Sequence, residues 1–156
     1  MDRGEKLSEN FTLGELIKSE TAERKGINNT PPDNLIPKLR RLCTEILEPV
    51  RNNYGQPFRP NSGYRSIELN EAIGGSSVSQ HCKAEAVDIE IPGVSNYDLA
   101  LWVTNNLDFD QVILECYRQG EPSSGWVHVS LREEGEANRS IALTYSNRTY
   151  TEGLIA

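Results

Sequence analysis

The 156-residue sequence holds only two histidines. His81 lies in Ser-Val-Ser-Gln-His-Cys-Lys and His128 in Gly-Trp-Val-His-Val-Ser, both polar, turn-flanked settings. Asp88 is embedded in the apolar run Ala86-Val87-Asp88-Ile89-Glu90-Ile91. A carboxylate in such a strand needs a partner, because burying a lone charge is costly. His, Asp and His are ordinary ligands of a catalytic zinc ion, which keeps a fourth position for water. The separation of 7 residues between His81 and Asp88 does not match one face of a short helical turn. It fits a loop ligand followed by a strand ligand, with His128 reaching the same point from a later strand. On these residues alone, hydrogen-bonding roles for the two histidines are as reasonable as a metal site.

The elements that must position these residues read as α+β. Residues 1–10 are polar and are expected to be flexible; residues 11–156 read as one domain, with no internal repeat or linker. Thr12 and Glu15 form a capping-box pattern ahead of Leu13, Leu16 and Ile17. A short helix or turn over Thr21 to Lys25 ends at Gly26, and a loop follows through Pro32. Leu35, Leu39, Leu42, Ile46 and Val50 recur at steps of 4, 3, 4 and 4, one apolar stripe at helical period. Arg40, Arg41, Glu45 and Glu48 read as its solvated face. Phe58 to Ser62 reads as a short strand and Ser66 to Ile73 as a helix. Ala86 to Ile91 alternates as a half-buried strand does. A helix from Ser95 to Asn106 carries Leu99, Trp102 and Val103, with Trp102 read as core. Gln111 to Tyr117, Trp126 to Leu131 and Ser140 to Tyr145 read as strands. Helices first and an antiparallel-looking sheet later is the α+β pattern.

Composition narrows the function classes. Hydrophobic residues make up 37% and charged residues 25%, which excludes collagen-like, disordered and coiled-coil chains. Sixteen basic against 23 acidic residues give a formal charge of −7, a field that disfavours nucleic acid and anionic membranes as partners. No apolar run approaches the ~20 residues that span a bilayer, and no signal-peptide core is visible near Met1. Three cysteines without paired spacing suit a reduced interior, with Cys43 and Cys116 read as small core residues. A monomer is expected.

Ser62-Gly63-Tyr64-Arg65-Ser66, Leu69-Asn70, Gly74-Gly75, Ser79-Gln80-His81, Ala86-Val87-Asp88-Ile89 and Trp126-Val127-His128-Val129-Ser130 together resemble one family. It is the zinc D-alanyl-D-alanine carboxypeptidase family (peptidase family M15), of the hedgehog/DD-peptidase fold, in its compact phage and bacterial branch. The resemblance runs from about Phe11 to Ser130 and takes in Phe11 to Ser19 and Leu47-Glu48-Pro49-Val50-Arg51. It implies N-terminal helices packed on a mainly antiparallel sheet. It implies Zn2+ held by His81, Asp88 and His128. It implies Arg65 as the group that polarises the scissile carbonyl or stabilises the oxyanion, a suitable task for a fixed guanidinium. Ser79 matches a serine that binds a substrate carboxylate, or else it simply caps a turn. Gln80 is a cleft residue.

Two departures from the family pattern stand out. Ala84 occupies a position that is commonly Gly. Relatives often place the general base two or three residues before the last histidine, where this chain has Trp126 and Gly125. Glu115 is the expected replacement, because after Val112-Ile113-Leu114 it shares a strand face with Ile113 and Gln111; Glu121 is the reserve. Trp126 shares the face of His128 and either walls the cleft or packs in the core. The implied activity is zinc-dependent hydrolysis of amide bonds in peptidoglycan stem peptides, as carboxypeptidase or endopeptidase. Such a protein resembles a phage endolysin, made in the cytoplasm without a signal peptide and acting on the wall after release or on a virion. The alternative is a zinc-binding, non-hydrolytic interaction module or virion component of the same fold.

Overall fold

The computed structural model describes residues 2–155. Its centre is a five-stranded sheet of β1 (Ala86–Ile89), β2 (Gln111–Glu115), β3 (Trp126–Ser130), β4 (Ile141–Ser146) and β5 (Thr149–Glu152), in the order β1-β3-β2-β4-β5. The helices are α1 (Leu13–Ile17), α2 (Glu20–Lys25), α3 (Ile36–Leu42), α4 (Glu48–Tyr54), α5 (Ile67–Ala72) and α6 (Asn96–Asn106). The class is α+β, as expected. Strand alternation gives the sheet two unlike faces. Val87, Ile89, Val112, Leu114, Val127 and Val129 are fully buried and meet Leu99, Ala100 and Val103 of α6 and the apolar stripe of α3 and α4 in one core. Asp88, His128 and Ile113 stand in one row across the opposite face.

The long helix expected from Pro32 onward is continuous but not uniform. It opens with a 3-10 turn over Asp33–Leu35, and between α3 and α4 a π turn spans Cys43–Leu47, where the Glu48 N–H reaches back to the Cys43 carbonyl. Pro49 accounts for the π turn: its ring has no N–H and would crowd the carbonyl four residues back, so the helix widens by one residue there. The widening adds Cys43 and Leu47 to the buried stripe of Leu39, Leu42, Ile46 and Val50.

Other expectations need correction. Phe58 to Ser62 forms no strand; only Ser62 pairs, with Asp88, in an isolated bridge. Pro57 and Pro60 remove the donors that a ladder needs. The sheet is mainly antiparallel, as expected; β4 alone runs parallel to its neighbour β2, because β1 already occupies the free edge of β3 and the chain must cross β2 to find another. The unforeseen β5 follows a two-residue turn at Asn147 and Arg148, both with positive φ (51° and 62°), the hairpin conformation that Asn-Gly usually signals. Cys116 is exposed rather than core, and its φ of 59° ends β2. Trp102 packs from the margin of the core, edge-on to Tyr54.

The flexible N-terminus expected for residues 1–10 is, over the described residues 2–10, tied to the body. Leu7 is 3% exposed and joins the core, a single apolar anchor in a polar stretch. The Leu13 N–H donates to the Glu5 carbonyl (2.8 Å) and the Gly14 N–H to the Arg3 carbonyl (2.7 Å). Glu48, read as solvated, accepts from Ser8 Oγ (2.6 Å) and from Asn10 N (2.7 Å) and Nδ2 (2.7 Å). Burial works against its charge, but the hydrogen bonds from Asn10 and Ser8 outweigh it and hold the carboxyl below the usual glutamate range. A depressed folded-state pKa contributes stability above the unfolded pKa, and that contribution fades as pH falls through the folded value. Glu48→Gln should therefore cost about 1–3 kcal/mol at pH 7, the worth of charge-assisted hydrogen bonds. In urea denaturation the gap to wild type should close in acid; a gap independent of pH would refute the assignment.

Candidate metal centre and catalytic cleft

Ser79 opens a 3-10 turn over Gln80–Lys83 with its Oγ accepting the His81 N–H (3.2 Å). Ala84 closes the turn in the left-handed region, φ 57°, and directs the chain into β1. This is the place for which glycine is suited, so the departure at Ala84 leaves the turn intact at a cost of roughly 1 kcal/mol. The turn delivers His81 and the strand delivers Asp88, the loop-then-strand order expected from their spacing. His128 lies directly opposite Asp88 in the β1–β3 register.

The three side chains meet at one carboxylate oxygen. His81 Nε2 is 3.3 Å and His128 Nδ1 3.1 Å from Asp88 Oδ1. The outer nitrogens are held by acceptors: His81 Nδ1 lies 2.8 Å from the Gly63 carbonyl and His128 Nε2 2.8 Å from Gln80 Oε1. A ring nitrogen facing a carbonyl oxygen carries the proton, so in its neutral form each ring turns a lone pair inward. One donor atom from each residue lies within 4.8 Å of the others, and among the described residues this is the one such group. Zinc bonds of ~2.0–2.1 Å at tetrahedral angles would set ligand atoms about 3.3 Å apart. The two separations at Asp88 match that edge. Burial alone would raise the Asp88 pKa; the pull of His128 and His81, whose inner nitrogens donate to Oδ1 whenever they carry a proton, prevails and holds the carboxyl well below its usual range.

The trio floors a cleft of about 1060 Å³ that is also lined by Arg65, Ser79, Gln80, Glu115 and Trp126. Arg65 makes no ion pair among the described residues, and its buried Nε has no hydrogen-bond partner. Its backbone is fixed instead. The Arg65 N–H donates to the His81 carbonyl (3.2 Å) and the Tyr64 N–H to the Leu16 carbonyl (2.8 Å). A Cβ on Gly63 would sit 2.3 Å from that Leu16 oxygen, so only glycine permits this approach. Asn29, a loop residue, donates through Nδ2 to the Ile17 (2.7 Å) and Tyr64 (3.1 Å) carbonyls and accepts the Ser66 N–H (2.7 Å). It locks the end of α1 to the segment carrying Arg65. An asparagine between two loops gives no periodic signal by which to find it.

Glu115 faces the cleft, paired across the ladder with Trp126, whose Nε1–H donates to Glu115 Oε2 (2.9 Å). Burial pushes the carboxyl up and Asp88 adds to this; His128, His81 and the Trp126 hydrogen bond oppose it, and the pKa stays above the usual value. Trp126 is thus a cleft wall. Glu121 pairs with Arg118 on the surface and does not line the cleft. Ser79 lines the cleft while serving as the turn cap. The row of Trp126 and Glu115 continues through Tyr145, on a strand expected from the sequence, and Tyr150, on the unforeseen β5; both line the cleft. The buried Asp110 and the half-exposed Arg139, which carry no sequence signal, form an ion pair at the cleft margin.

A sequence model of Peptidase M15 matches residues 9–130, from the N-terminal segment through the end of β3. The chain belongs to the peptidase M15 family. Comparison with curated proteins returns no match. Every residue of the trio, with Arg65, Ser79, Gln80, Glu115 and Trp126, falls inside the matched span of this M15 peptidase, and β4 and β5 lie beyond it.

Position 125, one of the two at which the resemblance implies a general base, admits only glycine. Its φ is +67°, and a Cβ there would lie 2.0 Å from the Glu115 carbonyl oxygen. No acidic or basic side chain fits this backbone. Gly125→Ala should destabilise the protein by about 3 kcal/mol or more through overpacking and a left-handed alanine. Denaturation that showed less than about 1 kcal/mol would contradict this packing.

Proposed function

We propose that this M15 peptidase is zinc-dependent and hydrolyses amide bonds in peptidoglycan stem peptides, as a carboxypeptidase or endopeptidase of the endolysin kind. The observation that carries the reading is the convergence of two imidazole nitrogens on one Asp88 oxygen, in a cleft that also holds an unpartnered guanidinium nitrogen. His81 Nε2, His128 Nδ1 and Asp88 Oδ1 would hold the zinc. The ion, when bound, supplies Lewis acidity toward the scissile carbonyl and toward water.

The chain's own groups complete the reaction. Glu115, ionised, accepts the proton of the attacking water and returns it to the leaving amine nitrogen. The Trp126 N–H leaves one Glu115 oxygen for that transfer. Arg65 donates to the oxyanion as negative charge develops on the carbonyl oxygen, and its missing partner means no existing ion pair must break first. The Ser79 oxygen accepts from the His81 N–H, so its own proton is available to a substrate carboxylate. Stem peptides offer such carboxylates, and Arg65 supplies a local cation in a protein of net charge −7. Action on the wall follows release from the cell or delivery on a virion.

Digestion of purified sacculi by the zinc-loaded protein, with new termini identified by mass spectrometry, tests the substrate and separates the two peptidase types. Glu115→Gln should retain zinc and lower turnover by about 10²–10⁴-fold, the usual worth of a general base. Arg65→Ala should lower kcat by about 10²–10³-fold, as loss of an oxyanion donor does. Zinc at about 100 times its Kd should stabilise wild type by about 2.7 kcal/mol and leave Asp88→Asn much less affected. Failure of the zinc-loaded wild type to cleave sacculi or defined stem peptides would overturn hydrolysis and favour the non-hydrolytic zinc module.

A further inference from the structure

The Gln80 amide faces two groups at once. Its Oε1 is 2.8 Å from His128 Nε2, and its Nε2 is 3.5 Å from Asp110 Oδ2. Asp110 is 1% exposed and does not face Gln80 alone. Arg139 holds it with Nε to Oδ1 (2.9 Å), Nη2 to Oδ2 (2.8 Å) and its backbone N–H to Oδ1 (3.0 Å). Arg139 lies outside the span matched by the family.

A primary amide can present either end, and its orientation decides the state of the histidine. With Oε1 toward His128, the proton stays on Nε2 and Nδ1 keeps its lone pair for a cation. With the amide reversed, its NH₂ would claim the Nε2 lone pair and drive the proton to Nδ1, which blocks ligation. The reversed amide would also set Oε1 against the Asp110 carboxylate, acceptor against acceptor. We propose that Asp110, fixed by Arg139, acts through Gln80 as a positioning group that keeps His128 in its metal-binding tautomer. This inference rests on the zinc reading of the trio.

The polarity of the relay gives it a specific test. Zinc Kd is measured by chelator competition, and Co(II) absorption spectra report ligand geometry. Asp110→Asn should weaken zinc about 10–100-fold, the usual effect of removing an outer partner of a metal ligand. Adding Gln80→Glu to Asp110→Asn should recover most of that loss, because a carboxylate at position 80 can only accept from His128 and the new amide at 110 can donate to it. Arg139→Gln, at a half-exposed side chain, should weaken zinc in the same direction without unfolding the protein and covers the case that Asp110→Asn fails to fold. Recovery in the double variant supports the relay. Wild-type affinity and spectra in Asp110→Asn or Arg139→Gln, or a double variant no better than Asp110→Asn alone, overturn it. A wild type that takes up no zinc overturns the metal reading and the relay together.

Discussion

One carboxylate withdrawn from water governs the cleft floor. Taking Asp88 out of solvent costs several kcal/mol unless partners compensate, and both partners meet the same oxygen, at 3.3 and 3.1 Å. A shared vertex forces both imidazoles to point inward. What they present there is set on the outside, where the Gly63 carbonyl and Gln80 Oε1 accept the outer ring protons. Three electron-rich atoms then face one another. Such an arrangement repels itself unless protons or a cation lie between, which distinguishes a cation site from a buried hydrogen-bond network. The polarity of two outer contacts, more than the identity of the trio, gives the site its sign.

The apolar core supplies the precision. Asp88, His128 and Ile113 share a row because Val87, Val127, Val129, Val112 and Leu114 are committed to the other face. A slip of one residue would turn His128 into the core and a valine into the cleft. The fully buried valines therefore hold the ligand geometry as firmly as the ligands' own hydrogen bonds do. The N-terminal segment extends the same principle. Asn29 and the Leu16 carbonyl bind the Gly63–Arg65 segment, and through the Gly63 carbonyl they bear on His81. Residues far from the trio in sequence thus orient one of its rings.

Features carried by local periodicity were legible in the sequence. The Thr12–Glu15 capping box, the stripe through Val50, the alternation around Asp88 and the shared face of Trp126 and His128 all follow from 3.6- or two-residue repeats, and each is present. The spacing of His81 and Asp88 also indicated a turn followed by a strand. Long-range competition was not legible. That β4 lies beside β2 depends on which strand edge is free. That residues 2–10 are tied down depends on Glu48, a helix charge whose partners are near-neighbours only in the fold. Asp110 and Arg139 gave no signal, because an aspartate ahead of a strand and an arginine in a polar loop are ordinary surface residues until the chain brings them together.

The surroundings of Gly125 and Trp126 are the clearest case of backbone geometry limiting which side chains can serve the cleft. The residue three before His128 must be glycine, since any Cβ would strike the Glu115 carbonyl. The residue two before it points into the cleft on the face of His128, so that position remains usable, and here it carries an indole. An indole N–H donates and cannot accept a proton. Directly across the ladder stands a carboxylate, and the indole donates to it at 2.9 Å. The proposed general base thus stands one strand sideways from His128, and Trp126 supplies the hydrogen bond that orients it. The close contact that excludes a side chain at Gly125 is made with the backbone of Glu115 itself, so one packing constraint both closes position 125 and holds the backbone that carries the proposed base.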